Sequence, residues 1–260
     1  MRYFLIGLFT LILFAVYFAP ASLVKKGLES NTEISMTNTR GSLWNGSATL
    51  SIPGKTQSFE LGYLEWSFVP QALFTFCITY RIKLHSETHN FTGQVCRSKD
   101  TIGIKGDLNL HSSLLNILLA NYDMQVSGLL EISALRLEFA PNPVSVPPIP
   151  EFEQFSALVH WSGGPVRYQL GGSNYALNLP AMMGDLGYQN GNPNMKVFEN
   201  TRQNIKPGSS ARIPLILANL DQNGWISIGI TKKFTKLLNQ PWPGSEPDHA
   251  VVLEVQEKLL

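Results

Sequence analysis

The chain reads as mainly β: a single N-terminal transmembrane helix followed by a large, curved antiparallel sheet or partly closed barrel with one or two short helices. Three observations carry this reading. Tyr3 to Ala19 holds no charge, and only Gly7 and Thr10 break a composition of Leu, Ile, Phe, Val, Tyr and Ala. Beyond that run, short segments alternate apolar with polar residues and are separated by Gly, Asn, Ser and Pro, the pattern of half-buried strands between turns. Charged residues make up only 15% of the 260 residues, against about 25% in an average globular protein, a balance that suits an exported β protein.

The apolar run of seventeen residues lies at the short end of the roughly 17 to 25 that a helix needs to cross a bilayer. It divides the chain into a membrane anchor, residues 1–24, and a β domain, residues 25–260. A second reading is a signal peptide with its small-residue site at Ala19-Pro20-Ala21, before Ser22. Under either reading the β domain is exported. Lys25 and Lys26 would fall on the far side of a helix whose N-terminus is inside, against the positive-inside preference, but lysines at an interface can snorkel.

Residues 28–39 are polar and lead into the first strand. Ala48, Leu50 and Ile52 then alternate with Thr49 and Ser51, after a turn or bulge that Asn45-Gly46 permits. Phe59, Leu61 and Tyr63 take odd positions and Leu64, Trp66 and Phe68 even ones, so the change of parity predicts a β-bulge near Tyr63-Leu64.

Residues 74–84 and 88–97 read as a hairpin about a Ser86-Glu87 loop. That register sets Ile78 opposite Val95, Tyr80 opposite Gly93 and Ile82 opposite Phe91 on one face. Thr79 with Gln94, Arg81 with Thr92 and Lys83 with Asn90 fall on the other, and Cys77 faces Cys96. A one-residue slip would invert one strand against its neighbour, so the agreement bears on register. Cys77 and Cys96 are therefore expected to form a cross-strand disulfide in an oxidising compartment.

Ile102, Ile104, Leu108 and Leu110 form the next alternating strand. Ser112-Ser113 then caps a short helix containing Leu114, Leu115, Ile117, Leu118 and Leu119. Alternation resumes at Tyr122, Met124 and Val126 and extends over 130–139, with a second parity shift near Ser133-Ala134. Five prolines between 141 and 150 predict a stiff connector between two halves of the β domain. Further strands are expected at 157–161, 166–170, 175–179, 195–199, 213–219, 225–230 and over Val251, Leu253 and Val255. Turns at Gly163-Gly164, Gly171-Gly172 and Asn190-Gly191 punctuate them, and a short helix over 231–239 turns Phe234, Leu237 and Leu238 to one side.

No catalytic, cofactor-binding or metal residue stands out in the sequence. His85 and His89 flank the hairpin loop, but a metal needs three or four convergent ligands. No zinc-protease, nucleophile-elbow or phosphate-loop motif occurs. Trp44, Trp66, Trp161, Trp225 and Trp242 read as strand core rather than a ligand groove, and Lys232, Lys233 and Lys236 as a solvated helix face. With 20 Lys and Arg against 19 Asp and Glu, the net charge of +1 does not point to nucleic acid.

Several stretches carry a family resemblance: the N-terminal segment ending in Ala19-Pro20-Ala21-Ser22, then Gly41-Ser42-Leu43-Trp44-Asn45-Gly46, and Leu64-Glu65-Trp66-Ser67-Phe68-Val69-Pro70. Residues 224–233 (Gly-Trp-Ile-Ser-Ile-Gly-Ile-Thr-Lys-Lys) and 240–244 (Gln-Pro-Trp-Pro-Gly) add to it. Together they resemble protein N of the bacterial type II secretion system, also called general secretion pathway protein N. The resemblance implies a single-pass inner-membrane protein of a Gram-negative cell with its C-terminal β domain in the periplasm. Its partners would be other type II secretion components and secreted proteins, it would carry no cofactor, and it would assist export of folded proteins across the outer membrane without catalysis. The alternative from another functional class is a periplasmic lipid-binding or lipid-transfer protein with an apolar groove on a coiled sheet.

Overall fold

Alternating apolar residues become antiparallel strands in both units of the computed structural model, Met1–Arg97 and Ser98–Leu260. The structure describes residues 2–30, 32–53, 59–120, 123–140, 151–170, 172–189, 191–200, 212–221, 223–240 and 242–258. The proline-rich connector expected at 141–150 lies outside them, as do Tyr122, Gly171, Asn190 and Pro241.

The first unit opens with helix α1, Arg2–Tyr17, whose 16 residues rise about 24 Å, short of the roughly 30 Å hydrocarbon core of a bilayer. Among the described residues no helix is long and apolar enough to cross a membrane. This corrects the expectation of a spanning helix through Ala19. Pro20 lacks an amide hydrogen and disfavours helix at the residue before it, and Ala19 turns its carbonyl to the Leu43 amide instead, at 2.8 Å.

A second helix, α2, Ser22–Glu29, follows where none was expected, and it overlaps the polar lead-in of residues 28–39 only at Leu28 and Glu29. Its burial explains it: Ala21 is in the core, and Val24 and Leu28 pack on Met36, Ala48, Leu50 and Trp66. Five strands follow as a meander: β1 Ser35–Gly41, β2 Asn45–Ile52, β3 Phe59–Phe68, β4 Ile78–His85 and β5 His89–Arg97. The bulge of β3 lies at Leu61-Gly62, not at Tyr63-Leu64: Leu50 opposes Gly62 and Ser51 opposes Glu60. Gly62 has φ +114° and a side chain there would strike the His85 carbonyl, so the kink settles where glycine stands.

The β4–β5 register also differs from expectation, by two residues. Thr79 opposes Cys96, Tyr80 opposes Val95, Ile82 opposes Gly93 and Leu84 opposes Phe91. The turn is centred on Glu87-Thr88, closed by Ser86 N donating to His89 O at 2.9 Å. A two-residue slip keeps every side chain on its face, so alternation cannot tell the two registers apart; the turn decides. Cys77 precedes β4, next to the 3-10 turn Pro70–Thr75, and is diagonal to Cys96 rather than opposed. The disulfide between them is present, with Cα atoms 5.8 Å apart.

In the second unit the strands are β6 Ile102–His111, β7 Met124–Val126, β8 Leu129–Ala140, β9 Glu151–Trp161, β10 Gly164–Leu170, β11 Ser173–Leu179, β12 Met182–Gln189, β13 Asn192–Glu199, β14 Ile216–Leu220, β15 Trp225–Thr231 and β16 Val251–Lys258. Strands β11, β10 and β7 form a small sheet; β6, β8, β9 and β12 to β16 follow one another in the large one. Among the described residues β16 pairs only with β15, so the sheet is open and not the barrel allowed for. The parity shift near Ser133-Ala134 is a bulge, with Ala134 at φ 52° and its amide donating to Asp107 Oδ1 at 3.0 Å.

One row of directly opposed residues runs through β6, β8, β9 and β12 to β16 on a single face: Leu108, Ile132, Val159, Gly184, Val197, Ile216, Ile230 and Leu253. Strand β12, which no alternation predicts, supplies the glycine of that row; Gly184 and Gly187 mask its period. Helix α3, Ser112–Leu119, is capped by His111, whose Nδ1 accepts from Ser113 N at 3.3 Å, not by the serines. Helix α4, Lys232–Leu237, lays Phe234, Leu237 and Leu238 on a cluster with Met182, Leu215, Val197 and Ile216.

Candidate interaction surfaces

The polar side chains considered for chemistry have structural partners. His85 Nδ1 lies 3.2 Å from Asn90 Oδ1 and His89 is buried with Nδ1 3.1 Å from Thr88 Oγ1, so the two do not converge on a common point. His160 lies 3.8 Å from a Glu131 carboxylate oxygen at the surface. Among the described residues no three His, Cys, Asp or Glu side chains form a group that could hold a metal.

The lysine cluster is not the solvated face expected of it. Lys232 is buried and its Nζ donates to the Gly244 and Glu246 carbonyls at 2.6 and 2.7 Å. Lys233 pairs with Glu199 at 3.6 Å and Lys236 with Asp248. Lys232 and Lys236 hold residues 244–248 against α4, and Lys233 ties the helix to β13; the hydrogen bond from Lys236 depresses the Asp248 carboxyl below its ordinary value. Of the tryptophans, Trp66 is core, while Trp225 and Trp242 are about two-fifths exposed, at 42% and 38%.

Two surfaces stand out because they expose what folding normally hides. The first is α1. Every side chain from Tyr3 to Phe18 is exposed, so the helix is apolar all round and no face of it packs on the unit. A helix of that kind suits lipid or the interior of a larger assembly. Its end is tied to the first unit: Trp44 Nε1 donates to Val16 O at 2.9 Å, Pro20 bridges Ser42, and Ala21 N donates to Gly41 O at 3.2 Å. Trp66 Nε1 donates to the Ser42 and Leu43 carbonyls at 3.3 and 3.2 Å, anchoring the same loop from the core side. Trp44 and Phe68 meet beside it as a tilted pair with ring centres 4.9 Å apart.

The second surface is β16. Its side chains are exposed at every position but Val252; Leu253 and Val255 lie in line on one face, 46 and 49% exposed, while the register shift at Val252 sets Val251 opposite Thr231 and against Gly229 on the other face. Leu253 opposes Ile230 and Val255 opposes Ile228, so the pair continues the apolar face of the sheet to its edge. A regular strand with one ladder neighbour presents outward amides and carbonyls to which another strand can add.

The family model of type II secretion system (T2SS), protein N, matches residues 32–207, more than half of the chain. The 41–46 and 64–70 stretches lie within the match, and the 19–22, 224–233 and 240–244 stretches outside it. No curated protein and no solved structure matches the chain. With the mainly antiparallel architecture and this span of matched sequence, the chain belongs to the type II secretion system protein N family.

Proposed function

We propose that this secretion component works without catalysis, through contacts of its sheets, while α1 holds it at the bacterial inner membrane with both units in the periplasm. The family assignment supports a place in the cell envelope. The Cys77–Cys96 disulfide supports an oxidising compartment, and the lipid-compatible surface of α1 supports membrane seating. The observation that carries the contact role is the exposed edge of β16 with its outward apolar pair Leu253 and Val255. A partner strand added there would gain ladder hydrogen bonds for affinity and alternate side-chain pockets for specificity. A photoreactive residue at position 253 in whole cells is expected to capture another secretion component, and one at Thr37 on β1 is not. Normal secretion by a Leu253→Lys variant, with no protein captured from position 253, would sink the reading.

The half-buried apolar row across the second unit favours one other reading, that this face shields an acyl chain. Native mass spectrometry of the protein purified without lipid-like detergent distinguishes them: a stoichiometric co-purifying lipid supports the groove, and its absence leaves the edge.

A further inference from the structure

A second feature of the first unit has an exposure that its own fold does not explain. The 3-10 turn Pro70–Thr75 and the residue after it carry Leu73, Phe74 and Phe76, exposed by 51, 88 and 89%. Phe76 has φ 55°, the left-handed region that a bulky side chain rarely adopts. The backbone is held in that strained form, with Phe76 N donating to Leu73 O at 3.0 Å and Cys77 N to Ala72 O at 3.3 Å, immediately before the disulfide to β5. Strain of this sort persists where the surroundings over-determine it and concentrates at functional positions. Its result here is to turn a phenylalanine outward at the tip of a covalently braced loop.

The location of the loop identifies its occupant. Pro70, which begins the turn, lines the same open cleft of about 780 Å³ as Leu13, Val16 and Phe18 of the α1 end, with Trp44 and Phe68 between them. Aromatic side chains thus collect where α1 leaves the sheet, the composition typical of a membrane–water boundary. We infer that the Pro70–Thr75 turn is a second membrane contact, inserting Leu73, Phe74 and Phe76 into the lipid interface beside the end of α1. It rests on the membrane seating of α1 proposed above. Two insertion points on one unit would fix its tilt over the bilayer, which a single helix cannot do.

The test uses the full chain reconstituted in phosphatidylethanolamine–phosphatidylglycerol vesicles, with a photoreactive residue replacing Phe14, Phe74 or Glu87 in turn. Glu87 is exposed at the opposite end of β4. Positions 14 and 74 are expected to yield phospholipid adducts about tenfold above position 87, as an interfacial side chain meets lipid and a distant one does not. Adducts at 14 with none at 74, or capture of protein at 74, would overturn the inference and leave the seating of α1 intact. No lipid adduct at 14 would remove the seating itself, and the inference with it.

Discussion

Strands β1 and β16 each have one ladder neighbour among the described residues, yet they treat the exposed side in opposite ways. On β1 the outward Met36 amide donates to Glu29 Oε1 of α2 at 2.9 Å. The strand is bulged between Thr37 and Arg40, with Asn38 at φ 51°, and its far end is tied to Ala21. Each device denies a partner a straight template. On β16 the only register irregularity falls at Val252, between Val251 and Leu253, and the apolar pair beyond it, Leu253 and Val255, is left open. An edge that merely ends a sheet is usually blunted; one left regular and apolar is available for use. The cores differ in the same sense: the first unit encloses Met36, Ala48 and Trp66, and the second relies on a thin cluster under α4.

The largest effect that would break this contrast is expected from Trp66→Ala. The change removes a buried ring and both hydrogen bonds to the 42–43 loop, and large-to-small core changes of this kind cost about 3 to 5 kcal/mol. Denaturant unfolding should show the loss, together with release of the α1 end from Trp44. Replacing Cys77 and Cys96 together by serine should cost about 2 to 4 kcal/mol, read by thermal unfolding against the parent under oxidising conditions.

Glu29→Ala is the smaller and more pointed change, worth about 1 kcal/mol. It should speed hydrogen exchange at Met36 and raise self-association, because it opens the guarded edge. Leu253→Lys should move stability by less than about 0.5 kcal/mol, as an exposed edge position, while abolishing capture at β16. A large loss of stability there would mean that β16 is structural.

The smallest effect concerns the Lys236–Asp248 pair. A carboxyl held below its ordinary value of 3.8 contributes stability above that pH and loses it as the pH falls through the depressed value. The pair is exposed and screened, so Asp248→Asn should leave neutral-pH unfolding nearly unchanged and shift only the acid limb.

Alternation alone made most strands legible, because a strand with one buried face must place apolar side chains at every second residue. The bulge at Ala134 was legible for the same reason, since a parity change requires an extra residue. Register in the β4–β5 hairpin was not, because two registers two residues apart sort faces equally well. Strand β12 was hidden by its glycines, and α2 by a polar composition that conceals the few apolar residues packed on Met36. Lys232 looked like a surface cation because nothing local reveals that two carbonyls from 244 and 246 close over its ammonium group.

Of the candidate surfaces, the alternation of β16 can be read as Val251, Leu253 and Val255, but neither the shift that sends Val251 to the other face nor the openness of Leu253 and Val255 can. Whether an apolar face is covered depends on what the rest of the chain brings to it. By itself the sequence determined the β class, the apolar character of the first helix and the pairing of the two cysteines, because these follow from composition, period and number. Only the tertiary structure decided which edge is guarded, where α1 stops and how far Phe74 and Phe76 stand out from the first unit. Those depend on carbonyls, amides and neighbours contributed by residues far away along the chain.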